Sequence, residues 1–373
     1  MLERIYTDTL IVGGGIVGLA LASEISKHDD TILVEKNYNL IEETSSRNSG
    51  VIHSGIYYPH ESLKEKHSMQ GNRMLYEHCK KFDISHKKCG KFIVASKDQL
   101  SELTNLINLC KSKDINYRSL SAKDMSKYQS LSFSEGIELE SSGIVDVHNF
   151  ADSLEFIARQ NHCQISTRTE LTSFAIKNNF FESLISCEGQ EFIIESTNLI
   201  FSMGLSTSKF FEQPDLMFLK KHIPDNKFYI GHYYKSKNFD RFDKLIYPIP
   251  EKHSLGIHIT FNTHDARHIT FGPDAHEIDK PSYELNKFST EHMESFYVAI
   301  EKYLPSIRNY SLEPDYVGIR PKIMENNGFN DFKILDQVSH GQENLFILHG
   351  IESPGLTSCL SIARSISDAI VKD

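Results

Sequence analysis

Near the start of the chain three glycines, Gly13, Gly15 and Gly18, stand at the spacing G-x-G-x-x-G between an apolar run, Thr9 to Val12, and a helical pattern ending near His28. Residues of this kind can hold phosphates. Gly13 makes the tight turn, Gly15 lets backbone approach a pyrophosphate, and Gly18 lets the helix pack close on the strand. The unpaired N–H groups that open the helix, with Ile16 and Val17 in its first turn, favour an anion. A second apolar run, Ile32 to Val34, closes on Glu35 and Lys36, where a carboxylate can accept from ribose hydroxyls. Strand, turn, helix, strand and acid come in order, so the segment reads as a βαβ unit with a dinucleotide fingerprint.

The next stretch, Thr44-Ser-Ser-Arg-Asn-Ser-Gly-Val-Ile-His53-Ser-Gly-Ile-Tyr-Tyr58, is too irregular for a helix interior and too polar for a core strand. Hydroxyls, glycines and one histidine gathered just after a nucleotide unit favour a loop pressed against a ligand.

These groups need a large scaffold. With 373 residues, 39% of them hydrophobic and 24% charged, the chain can bury a sizeable core and is expected to form two domains. A formal net charge of -10 argues against a general nucleic-acid binder, because most of the surface would repel a phosphate backbone. No apolar run is long enough to cross a bilayer and the start has no hydrophobic signal core, so a cytoplasmic protein without a transmembrane segment is expected, with a peripheral membrane location left open. The six cysteines show no C-x-x-C pair and no zinc-ligand spacing; free thiols and no metal are expected.

The pattern predicts a helix over Leu63 to Phe82, a strand over Lys91 to Ala95 and a helix from near Asp98. Ser142 to Phe150 reads as a turn into another helix. Strands follow over Gln164 to Leu171 and Phe181 to Ile194, and Asn198 to Gly204 reads as a buried parallel strand returning to the nucleotide unit. From Phe228 to Gly272 the runs Lys244 to Pro250, Leu255 to Phe261 and His268 to Gly272 are antiparallel in character. A helical pattern covers Glu291 to Leu304. Asn344 to His349 is a strand, followed by a glycine-bearing loop and a helix through Ile370.

Several of these segments resemble the FAD-dependent L-2-hydroxyglutarate dehydrogenases or oxidases, within the D-amino-acid-oxidase-like flavoenzymes. The resemblance is carried by Asn48-Ser-Gly-Val-Ile-His-Ser-Gly-Ile-Tyr-Tyr58, Tyr247-Pro-Ile-Pro250 with Gly256-Ile-His258, Phe271-Gly-Pro-Asp274, Gly318-Ile-Arg320-Pro-Lys322 and Gly350-Ile-Glu-Ser-Pro-Gly-Leu-Thr-Ser358. Two departures are Thr44-Ser-Ser-Arg47, where the family has a threonine-glycine-histidine loop, and the Ser202-Met203-Gly204 corner. The resemblance implies an α/β fold: a Rossmann-like FAD-binding domain from residues 1–82, 143–212 and 325–373, and a largely antiparallel β-sheet substrate domain from 83–142 and 213–324. FAD contacts are then expected from the glycine turn, Glu35 and Lys36, and from Ser45, Asn48, Ser49, Gly50, Val51 and His53. Gly204 and Gly350 are expected beside the cofactor, as are Gly355, Leu356 and Thr357 at the start of the last helix. That helix start would face the negative charge that reduced flavin gathers at N1 and the C2 oxygen.

Oxidising a 2-hydroxy acid needs a hydride acceptor, a carboxylate clamp and a base for the hydroxyl proton. Flavin N5 is the acceptor that the resemblance implies. Arg320 matches the family's clamp position, and a guanidinium fork suits a carboxylate. His53 ranks first as base, narrowly ahead of His258; His349 is expected near the flavin as a packing or hydrogen-bonding group. With 18 histidines in the chain, any single one is more often structural. Tyr58 and Tyr247 can offer hydroxyls to a second carboxylate, although such tyrosines are as often core members with one wet end. Lys322 can add positive charge nearby. The expected reaction is oxidation of L-2-hydroxyglutarate to 2-oxoglutarate, with oxygen, a quinone or a carrier left open as electron acceptor. An amine or amino-acid oxidase on the same fold and a flavin-binding redox sensor are the alternatives.

Overall fold

The computed structural model describes residues 2–237, 242–249, 256–264, 268–283, 288–323 and 328–372. Strand Glu3–Val12 is buried on both faces over Thr9 to Val12, which is why its apolar run does not alternate. It pairs in parallel with Thr31–Val34 on one side and Gln190–Phe201 on the other, and Leu345–His349 joins beyond Gln190–Phe201. Gln164–Ser166 extends the parallel set past Thr31–Val34. Thr169–Ile176 and Phe181–Cys187 continue the same sheet as an antiparallel flank.

Two expected elements differ here. The stretches read as separate strands around Ile194 and Asn198 form one strand, Gln190–Phe201, antiparallel to Phe181–Cys187 and parallel to Glu3–Val12. Gln164 to Leu171 is instead two strands, broken at Arg168, whose backbone takes φ +53°.

Helices Ile16–Ile25, Leu63–Lys81, Val147–Gln160 and Gly355–Lys372 pack together on this sheet around Leu19, Leu75, Phe150 and Ile362. The residues read as a turn before Val147 include a strand, Gly143–Val145, in a small sheet with Val51–Ile52 and His86–Lys87. That small sheet anchors the hydroxyl-rich loop.

The second large sheet is mainly antiparallel, in the order His276–Ile278, Asn226–Ser236, Ile269–Gly272, His258–Phe261, Leu245–Pro248, Lys91–Ala95, Glu135–Leu139 and Arg118–Ser119. Glu313–Ile323 also pairs with Asn226–Ser236. The three runs expected to be antiparallel pair in that way, Leu245–Pro248 with His258–Phe261 and His258–Phe261 with Ile269–Gly272, and Leu245–Pro248 also runs parallel to Lys91–Ala95. Pro250 and Leu255, which figured in the sequence reading, lie outside the described residues. All six cysteines are free. Among the described residues, no helix is long and apolar enough to cross a membrane.

Candidate active site

The glycine turn is built by backbone contact. Gly13 takes φ +109°, donates its N–H to Val34 O at 2.8 Å, and a Cβ on it would lie 2.5 Å from Ser202 O. A Cβ on Gly18 would lie 1.9 Å from Gly13 O, so Gly18 serves helix packing and does not face the cavity. Helix Ile16–Ile25 starts at Gly15 without a side-chain cap on that residue, and Ile16 donates its N–H to Ser45 Oγ at 2.9 Å. Thus Ser45, from the Thr44-Ser-Ser-Arg47 stretch, meets the start of the helix that follows the glycine turn.

Glu35 accepts from Gly14 N–H at 2.6 Å and Asn37 N–H at 2.8 Å, one on each oxygen. A carboxylate has about four lone-pair sites, so both oxygens retain capacity for ribose hydroxyls. Burial pushes its pKa up, with those two donors opposing.

A cavity of ≈ 860 Å³ runs from this turn to the second sheet. Its wall includes Gly13, Gly15, Ile16, Val17, Glu35 and Lys36 at the nucleotide end, and Ser45, Asn48, Ser49, Val51 and His53 along the loop. Gly204, with φ +54° and no atom within 4 Å of a Cβ, lines it, as do Gly355 and Leu356 at the last helix.

Four expected cofactor contacts are off this wall. Besides Gly18, Gly50 takes φ +63° with its Cβ direction 2.7 Å from Val145 O, so it makes the turn that joins the small sheet. Gly350 takes φ +65° and lets its loop pass against Ile323. Thr357 is fully buried; its Oγ1 accepts from His53 N–H at 3.0 Å. It positions His53 instead of touching the cavity.

The loop is clamped to the second sheet. Thr44 Oγ1 donates to Ile319 O at 3.0 Å, Tyr316 Oη donates to Asn48 O at 2.9 Å, and Gly318 leaves room for Arg47 O. Strand Glu313–Ile323 thereby carries Arg320 and Lys322 onto the cavity wall. Among the described residues, Arg320 has no carboxylate partner. That argues against the structural ion pair to which most partly buried arginines belong.

Facing these cations are His53, Tyr58, Tyr247 and His258, together with Tyr233 and Ser353. Ser353 Oγ lies 3.4 Å from His53 Nε2. Burial, then the charge of Lys91 and then His258, hold the His53 pKa down to about 3. The imidazole is therefore neutral near pH 7 and able to accept a proton. Burial raises the Tyr58 and Tyr247 hydroxyls, which stay protonated donors. His349 is not on the wall; its Nε2 lies 2.8 Å from Pro224 O, on the far side of the strand residue Leu348 that does line the cavity.

Two side chains escaped the sequence reading. Tyr233 stacks on Tyr316 with ring centroids 4.3 Å apart, and strand alternation with Gly231 could have placed both on one face. Lys91 is fully buried in its strand. A lysine opening an apolar strand reads as a solvated end, and no local signal marks it otherwise.

A nucleotide cradle that opens onto cations, hydroxyls and a neutral histidine defines a dinucleotide-dependent oxidoreductase. The family model described as FAD dependent oxidoreductase matches residues 8–369. The mitochondrial L-2-hydroxyglutarate dehydrogenase of Arabidopsis thaliana is 33% identical, aligned over 99% of this chain and 84% of its own. The glycerol 3-phosphate oxidase of Mycoplasma pneumoniae is 28% identical over 96% of this chain and 92% of its own. Among solved structures, dithionite-reduced L-alpha-glycerophosphate oxidase from Mycoplasma pneumoniae with FAD bound has a TM-score of 0.83 at 24% identity, covering 99% of this chain and 95% of that one. Glycine oxidase from Geobacillus kaustophilus has a TM-score of 0.80 at 13% identity, with the same coverages; both structures show the fold. The chain belongs to the FAD dependent oxidoreductase family, and FAD is its cofactor.

Proposed function

We propose that this enzyme oxidises L-2-hydroxyglutarate to 2-oxoglutarate, removing a hydride from C2 and a proton from the 2-hydroxyl. The observation that carries this reading is Arg320, a guanidinium without a carboxylate partner among the described residues, on one cavity wall with Lys322 and the neutral His53. Arg320 takes the C1 carboxylate through two parallel N–H bonds. Lys322, Tyr58 and Tyr247 take the second carboxylate, which accounts for two cations facing one small acid. His53 Nε2 accepts the hydroxyl proton, with His258 as the second choice. FAD, when bound, supplies the hydride acceptor. Residues 1–82, 143–212 and 325–373 form the FAD-holding unit in this reading, and 83–142 and 213–324 the substrate unit. The Arabidopsis relative supports the substrate assignment.

A second reading has one specific support. Glycerol 3-phosphate also presents a CH–OH group beside an anion, and the Mycoplasma relative acts on it by name. Anaerobic flavin bleaching separates the two. L-2-hydroxyglutarate is expected to bleach the enzyme faster than glycerol 3-phosphate, glycine, sarcosine or a D-amino acid; fastest bleaching by any of these overturns the substrate. Arg320→Ala is expected to stay yellow and lose at least about 100-fold in kcat/KM, the size of a lost bidentate charged contact.

A further inference from the structure

We propose a second, non-flavin site: a zinc-type divalent metal held by His232, Asp274, His276 and His292 on the face of the substrate sheet that points away from the cavity. The four side chains each offer one ligand atom, and these atoms lie within 4.8 Å of one another. Asp274 is at their centre. Its Oδ1 lies 3.1 Å from His232 Nδ1, and its Oδ2 lies 2.9 Å from His276 Nε2 and 2.7 Å from His292 Nε2. Zinc bonds of about 2.0–2.2 Å place tetrahedral ligands roughly 3.3 Å apart, so small side-chain rotations suffice to close the set on an ion.

Three features favour a metal over a plain hydrogen-bonded cluster. His232 is 5% exposed in its side chain, and its Nε2 is buried without a hydrogen-bond partner among the described residues. Of the cluster's imidazoles, His232 thus keeps a buried nitrogen that no described group uses, while both nitrogens of His292 are engaged, by Asp274 and Tyr234. The supporting contacts are also those of a metal site. His292 Nδ1 lies 3.0 Å from Tyr234 Oη, which can accept its N–H and leave Nε2 as a lone pair, and His232 N–H donates to Asp274 Oδ1 at 2.6 Å. Access is graded as well: His276 is 58% exposed at the rim, whereas Asp274 and His292 are 14% exposed. That leaves an entry path into a closed site.

Imidazole and carboxylate ligands suit zinc, and four protein ligands mark a structural site. The strand Asn226–Ser236 alternates, so Gly231 and Tyr233 line the cavity while His232 and Tyr234 face the metal. His292 lies on helix Thr290–Glu301 and His276 on strand His276–Ile278. A bound ion would therefore pin that helix and the edge strand to the back of the wall that carries Tyr233.

The test uses FAD-loaded protein, with any histidine tag removed, grown with added zinc. Elemental analysis is expected to give one zinc per chain. After EDTA treatment, Zn2+ alone is expected to raise Tm, and His276→Ala to need more than tenfold more Zn2+ for the same rise while remaining yellow. A wild-type chain with no zinc and no Tm response overturns the site, as does His276→Ala responding like wild type. Should His276→Ala fail to keep FAD, competition of the wild-type chain against a chromophoric zinc chelator decides the matter. Failure to compete at equimolar chelator sinks the proposal, and removal of one equivalent sustains it.

Discussion

Tyr247 and His258 lie face to face, ring centroids 3.6 Å apart and planes 11° from parallel. Ile246 is opposite Ile259 in the antiparallel pair, which sets Tyr247 opposite His258 on the cavity side. A phenyl ring keeps this stack and removes only the hydroxyl. Tyr247→Phe is therefore expected to leave kcat close to wild type and raise KM for L-2-hydroxyglutarate about tenfold, the worth of one hydrogen bond to a charged group. Steady-state kinetics with an unchanged KM would take Tyr247 out of the carboxylate site.

Lys91 stands on the strand beside Tyr247, its Nζ 4.5 Å from that ring's centroid and 5.3 Å from that of Tyr57. It has no hydrogen-bond partner among the described residues, and burial lowers its pKa to about 8. At pH 7 it is mostly charged, and that charge opposes protonation of His53. Lys91→Met keeps the bulk and removes the charge, so the His53 pKa must rise. The acid limb of kcat/KM is expected to shift to higher pH in the variant. A profile that superposes on wild type would disconnect Lys91 from the base.

Gly71 makes the third prediction. A Cβ there would lie 2.0 Å from Thr357 O and 3.0 Å from Ser358 Cα, so helices Leu63–Lys81 and Gly355–Lys372 touch backbone to backbone. The same Thr357 holds the His53 backbone. Gly71→Ala is expected to cost about 1–3 kcal/mol by overpacking and to weaken FAD retention. Unaltered denaturant midpoints would mean that the helices have slack.

What was legible in the sequence depended on how far apart the cooperating residues lie. Gly18 packs on Gly13 O and Glu35 accepts from Gly14 N–H, neighbours within one βαβ unit, so their spacing alone described them, whereas Ser202, against which Gly13 packs, lies far along the chain. Arg320 needed the family pattern, because nothing near it in sequence says that no carboxylate will meet it. Gly50 and Gly350 look like wall glycines until their neighbours, Val145 and Ile323, are known. The parallel pairing of Leu245–Pro248 with Lys91–Ala95 could not be seen, since parallel partners carry no hairpin turn to announce them. That pairing sets Tyr247 beside the buried Lys91. The cluster at His232 was hidden because its members come from two strands, a loop and a helix, at no metal-binding spacing.

The last prediction concerns acid stability. His67 and His349 are each 1% exposed, and burial lowers both to a pKa of about 4, against 6.5 in an unfolded chain. Between those values the unfolded chain binds more protons than the folded one. Stability is therefore fully present above pH 6.5 and falls as pH drops toward 4, by about 1.4 kcal/mol per pH unit for each fully buried neutral histidine. His67 Nδ1 lies 2.9 Å from Ser361 Oγ, a contact that glutamine can keep without titrating. In urea unfolding at saturating FAD between pH 6 and 5, His67→Gln is expected to show a slope of stability against pH shallower by about one proton. A slope equal to wild type would mean that the folded protein already protonates His67, and the burial of its charge-free ring would no longer account for acid sensitivity.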